Sequence, residues 1–170
     1  MKHIKKVVLA MAAITALAVT VPLAPTASAQ ASTTTTPKTL RGTWYTYAGS
    51  HRYNVTKITA HTVTRYDLNA RGMVSAKQSY TNHKSGRYRL HVTKHRNRYG
   101  GTVYSLNKGQ ADYQKLPLMW VSHRRIHGTR YRVLKSYTNG GYFNVATKHK
   151  LTHSGSYQYM GSNPLHQIGK

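Results

Sequence analysis

The chain has 170 residues, with 26 lysines and arginines against two acids, no cysteine and a formal charge of +24. A disulfide scaffold and a lipidated N-terminal cysteine are excluded, and a carboxylate-pair hydrolase is disfavoured because Asp67 and Asp112 are the only acids. Such one-sided charge destabilises a compact protein unless counter-charge is near, so polyanionic partners are expected.

In chain order, "MKHIKK" is a basic leader start, "VVLAMAAITALAV" an apolar core and "ASA" at Ala27–Ala29 a small-residue cleavage site. Residues 1–29 therefore read as a secretory signal peptide, too short in its apolar core for a membrane span. No stable membrane insertion is expected after cleavage. The remaining 141 residues suit one domain, lose Lys2, Lys5 and Lys6, and carry +21 with ten histidines. The expected location is secreted, extracellular or held non-covalently at the cell wall.

Residues 30–39, "QASTTTTPKT", read as a Thr-rich linker, and residues 40–170 as the domain. From Leu40 the pattern has period two. In "RYRLHVTKH", Tyr88, Leu90 and Val92 fall on one side and Arg87, Arg89, His91 and Thr93 on the other, as in a half-buried strand. "TRYRVLKSY" repeats this, with Tyr131 and Val133 inward and Arg130 and Arg132 outward. Further runs ("GTWYTY", "YNVTKIT", "HTVTRY", "MVSAKQSY", "TVYSLN", "LPLMWVSH", "GYFNVATK") are separated by turn sequences such as "NARG" and "TNGG". The fold class expected is all-β, an antiparallel meander barrel of about 8–10 short strands. A short helical turn is expected only in "KGQADYQKL", residues 108–116.

"SYTNHKSGRYRLHVTKH" (79–95) aligns with "SYTNGGYFNVATKH" (136–149), which reads as a duplicated hairpin; Asn-Gly in the second suits a primed turn.

Gly42-Thr43-Trp44 opens the first strand of this meander. On that motif and the meander length, Leu40 to Phe143 resembles the lipocalin-like (calycin) group, and the start "LRGTWY" is similar to small secreted proteins of Gram-positive bacteria. The resemblance implies a barrel closed at one end by Gly42 and Trp44, the indole lying under Arg130 or Arg132. No disulfide and no clear long helix after the last strand accompany it. Residues 120–144 also resemble the aromatic and basic repeats of small cell-wall-binding β modules, which gathers Trp120, Tyr131, Tyr137, Tyr142 and Phe143 on one sheet.

Three His pairs stand four apart (His91 and His95, His123 and His127, His149 and His153). On strands that spacing separates them by about 13 Å, too far to share an ion, so no metal and no cofactor are expected. No nucleophile elbow accompanies any Ser, His and Asp. A His–His–Lys phosphodiesterase has only composition behind it, and the chain reads as a non-enzyme.

Arg87, Arg89, Lys94, Arg96 and Arg98 interleave with Tyr88 and Tyr99 in "RYRLHVTKHRNRY", a pattern that suits anionic cell-wall polymers, saccharides or extracellular nucleic acid. Arg124, Arg125, Arg130 and Arg132 extend the polyanion-binding set. The alternative function is a carrier of a small apolar ligand in a lumen lined by Tyr88, Leu90, Val92, Leu118, Trp120, Tyr131 and Val133.

Overall fold

The computed structural model describes residue 33 and residues 35–96, 100–106, 116–137 and 139–170. The expected leader, Arg98, and all of the expected helical turn except Leu116 lie outside these residues. The strands are Gly42–Tyr47 (β1), Tyr53–Ile58 (β2), Thr62–Leu68 (β3), Val74–Thr81 (β4) and Thr93–Arg96 (β5), followed by Thr102–Ser105 (β6), Leu118–Ile126 (β7), Thr129–Tyr137 (β8), Tyr142–Thr147 (β9) and Tyr157–Gln158 (β10). They form one ten-stranded sheet with the path β4-β3-β2-β1-β9-β8-β7-β6-β5, and β10 pairs with β9. Every ladder is antiparallel. The all-β meander is thus what forms, with two local runs of strands joined where Tyr45 of β1 meets Thr147 of β9.

The sheet does not close into a barrel. β4 and β5 share no ladder, and only a parallel bridge between Thr81 and Arg89 spans the gap. The chain between them turns through a 3-10 segment, Gly86–Tyr88, instead of returning as a hairpin. Thr33 then takes up the start of β5: its N–H donates to the Val92 carbonyl (2.8 Å) and its carbonyl accepts from Val92 N–H (2.6 Å). Thr36 N–H donates to the Ala60 carbonyl at 2.8 Å, and the Thr36 side chain is 1% exposed. The end of the Thr-rich stretch is therefore sewn into the domain.

Of the two repeated segments, only the second is a hairpin. There Gly140 (φ 63°) and Gly141 (φ 72°) supply the two left-handed residues of a primed turn, closed by Tyr142 N–H donating to the Asn139 carbonyl at 3.2 Å. The turn is centred one residue later than Asn139-Gly140.

Cross-strand register explains the core. Ile58 pairs with Val63 and Val63 with Tyr80, so one end of one face of β2–β4 is apolar, giving way to Thr56, Arg65 and Gln78 further along the strands. That face meets Trp44, Leu90, Val92, Leu106, Leu116, Met119, Leu134 and Ala146 in the main buried cluster, with Tyr88 packed beside it. A second layer lies on the opposite face of β7–β9. Trp120, Val133, Phe143 and Val145 are buried there beneath Leu151, Tyr157, Tyr159 and Ile168 of the C-terminal stretch.

The seven residues expected to line one lumen therefore divide. Leu90, Val92 and Tyr88 belong to the main cluster, whereas Leu118, Trp120, Tyr131 and Val133 belong to the layer on the other face. Covering both faces makes consecutive Val133, Leu134 and Lys135 all buried.

Candidate anion-binding face

β7 and β8 run side by side from Leu118 and Tyr137 to Ile126 and Thr129. Alternation sends Ser122, Arg124, Tyr131 and Val133 to the C-terminal side. It leaves His123 directly opposite Arg132 and Arg125 directly opposite Arg130 on the other face. All four of these cationic or titratable side chains are exposed. Opposed residues of an antiparallel pair have Cβ atoms about 5 Å apart, and like charges placed so are destabilising. Asp67 is the only acid among the described residues, and its Oδ1 accepts from Asn54 Nδ2 on β2 at 2.7 Å. The array therefore meets no carboxylate of its own strands.

Trp44 forms the edge of this face. Its indole N–H donates to the Leu40 carbonyl (2.7 Å), which fixes the ring at 0% exposure. Of the two arginines expected over the ring, Arg132 is the one there, its Cζ 5.6 Å from the ring centroid, with Nη2 donating to the Thr39 carbonyl (2.8 Å). Lys148 is nearer: its Nζ lies 3.9 Å from the Trp44 centroid and donates to the Arg41 carbonyl at 2.7 Å. Burial, reinforced by the Arg132 charge, pushes the Lys148 ammonium below the ordinary lysine pKa. Gly42 is what allows this. It adopts φ 118°, and a Cβ on it would collide with Lys148 Nζ. The Gly-x-Trp spacing thus clears space for a lysine to stack on the tryptophan two residues on.

The remaining arginines are dispersed. Arg124 is on the opposite face, stacked with its Cζ 3.9 Å from the Tyr157 centroid. Arg87 lies 5.0 Å from the Tyr88 ring in the 3-10 turn, and Arg89 follows it at the β4–β5 gap. Lys94 and Arg96 are exposed on β5, opposite Tyr104 and Thr102. The expected basic set is therefore two groups, one at the gap and one on the β7–β8 hairpin.

The expected aromatic platform is mostly interior. Phe143 stacks between Tyr137 (4.9 Å) and Tyr157 (5.1 Å), with Trp120 edge-on at 6.1 Å. Trp120 and Phe143 are both 0% exposed, so neither can receive a sugar ring, while Tyr142 projects outward. The ladder is part of the core.

Two features had not been read from the sequence. Lys135 is 5% exposed, and its Nζ donates to the Lys170 main-chain oxygen (2.8 Å), which also accepts from Trp120 Nε1 (2.9 Å). Burial, and then the Arg124 charge, lower its pKa to about 8. Its parity with Tyr131 and Val133 in "TRYRVLKSY" carried that information. His127 and His153, from different sequence pairs, meet with ring centroids 4.0 Å apart and planes tilted by 37°. Among the described residues no group of three potential ligands could hold a metal ion, and no helix is long and apolar enough to cross a membrane. No family model, curated protein or solved structure matches this chain.

Proposed function

We propose that this chain is an exported, non-enzymatic protein that binds phosphate-rich, teichoic-acid-like polymers or anionic saccharides of the cell envelope through the β7–β8 array. One observation carries the reading: two successive cross-strand pairs, His123 with Arg132 and Arg125 with Arg130, set like-charged or chargeable groups side by side in solvent. With no carboxylate on its own two strands, this array gains stability when a polyanion supplies the counter-charge. The export part rests on the leader sequence. Kinship with lipocalin-like proteins is a further proposal, supported by Gly42, Trp44 and the Arg132 side chain over the indole.

The test is retention on purified cell wall, with and without its teichoic acid, across a salt series. Retention should fall steeply between ~0.1 M and ~1 M salt, as the Debye length shrinks from about 10 Å to about 3 Å. Arg125→Gln/Arg130→Gln should lower affinity about a hundredfold, since two contacts to phosphate, each worth about tenfold, are lost. Unchanged retention at high salt, or in the double variant, overturns the proposal. Preference for single-stranded nucleic acid over wall polymer at equal charge would overturn the choice of partner.

A further inference from the structure

Away from the array, the solvent face of β2–β4 carries a groove of about 400 Å³. Its floor is β3, whose Val63 turns to the core while Thr62, Thr64 and Tyr66 face outward. Lys57 flanks it from β2, opposite Thr64, and Lys77 and Val74 from β4. Strands about 4.8 Å apart and a two-residue stagger along β3 leave these two lysine backbones about 12 Å from one another, within reach of a common small ligand through their long side chains.

Lys77 and Val74 share this face only because β4 is bulged. Arg65 pairs with Gln78 but Asp67 with Ser75, so β4 holds one extra residue. Ala76 sits there at φ 50°. Residues three apart on a regular strand point to opposite faces; the bulge reverses the parity and brings Val74 round beside Lys77. An alanine in the left-handed region is costly, and bulges recur beside binding sites because they re-aim side chains.

The groups in the groove are chemically complementary to one ligand class. Neither lysine ammonium has a hydrogen-bond or ring partner among the described residues, and the Tyr66 hydroxyl is likewise unengaged. Thr64 Oγ1 shares one hydrogen bond with Ser79 Oγ (3.0 Å), and Thr62 Oγ1 one with Thr59 Oγ1 (2.6 Å). Each hydroxyl offers one donor and two acceptor sites, so both keep capacity. Two ammoniums match phosphate oxygens, a row of hydroxyls matches polyol hydroxyls, and Val74 with the Tyr66 ring covers a carbon backbone.

We infer that the outer face of β2–β4 is a second ligand site, for a phosphorylated polyol or sugar, in which Lys57 and Lys77 take the phosphate and Thr62, Thr64 and Tyr66 the hydroxyls. It shares with the proposed function only the premise of a phosphate-bearing partner, and it involves none of the array residues.

Amide NMR of the full chain, titrated at constant ionic strength with glycerol 1-phosphate, inorganic phosphate or glycerol, tests it. Glycerol 1-phosphate should shift amides of residues 62–66 and 74–77 to saturation, and more tightly than inorganic phosphate. Lys77→Gln, at an exposed position whose folding is read in the same spectra, should weaken that binding about tenfold, the worth of one hydrogen bond to a charged group. Arg125→Gln/Arg130→Gln should leave it unchanged, which separates failure of the groove from failure of the array. Equal affinity for inorganic phosphate and glycerol 1-phosphate, shifts confined to β7–β8, or no effect of Lys77→Gln would each overturn the assignment. A short poly(glycerol phosphate) binding the same amides more tightly than the monomer upholds the groove with a polymer as its source. Equal binding upholds it with a free phosphorylated polyol.

Discussion

Replacing Lys135 by methionine removes an ammonium that the fold holds almost out of water, with a side chain of similar length. In the unfolded chain this lysine keeps its proton to about pH 10.5, whereas in the fold it releases it near pH 8. Between those values the unfolded chain binds more protons, so the free energy of unfolding rises with pH. The cost of the buried charge is therefore present in full below pH 8 and relieved as the pH climbs. Its size, from a pKa of 10.5 brought to about 8, is about 3 kcal/mol, gained at up to about 1.4 kcal/mol per pH unit. Tyr157 acts against this at the top of the range. Burial raises its hydroxyl above the ordinary 10.0, against the pull of Arg124, so the fold keeps a proton that the unfolded chain loses. Wild-type stability should thus climb from pH 8 and turn over above pH 10. Urea denaturation at fixed ionic strength from pH 7 to pH 10.5 measures it. The variant should lose the Lys135 share of the climb and keep only the share that Lys148, whose pKa is also lowered, contributes, so its gap from wild type should change across the series. Parallel stability curves would refute the claim that this lysine is desolvated.

Gly42→Ala should lower the melting temperature. It forces an L-residue to φ 118°, costing ~1–3 kcal/mol, and drives Lys148 from the indole. Adding Lys148→Ala should restore only the steric part, so additive losses in the double variant would show that the glycine and lysine do not meet. Trp44→Ala should cost ~3–5 kcal/mol in denaturant unfolding, because it empties a fully buried site; a normal midpoint would show that the ring is dispensable to the core.

Much of the strand pattern was legible because period two is a direct consequence of pleating. "LPLMWVSH" and "TRYRVLKSY" became β7 and β8, and Arg130 and Arg132 do share a face opposite Tyr131 and Val133. Which face was covered could not be read, because β7–β9 bury both, and apolar content on either parity looks the same. "RYRLHVTKH" illustrates another gap. Leu90 and Val92 are buried as the alternation requires, yet only Thr93–Arg96 forms a strand. Alternating burial reports packing, not ladder hydrogen bonds, and Tyr88 packs from a 3-10 turn. Lys148 and the bulge at Ala76 depend on strands brought together by register, which no local window contains. The basic composition shows how many arginines and lysines there are but not the pairing of Arg125 with Arg130, since that needs the ladder.

The junction of β1 with β9 also bears on how the chain finds its structure. Every other ladder joins strands that follow one another in sequence, so β1–β4 and the strands from β5 to β9 can each zip up through connections of two to twelve residues. Tyr45 and Thr147 must instead meet across about a hundred residues, and the entropy of closing so large a loop has to be met before their contact returns anything. Ordering each run on its own and joining the two last is the sequence of events with the lowest barrier. The rate-limiting step would then be the meeting of two preformed halves at one seam, slowed further by the like charge on both.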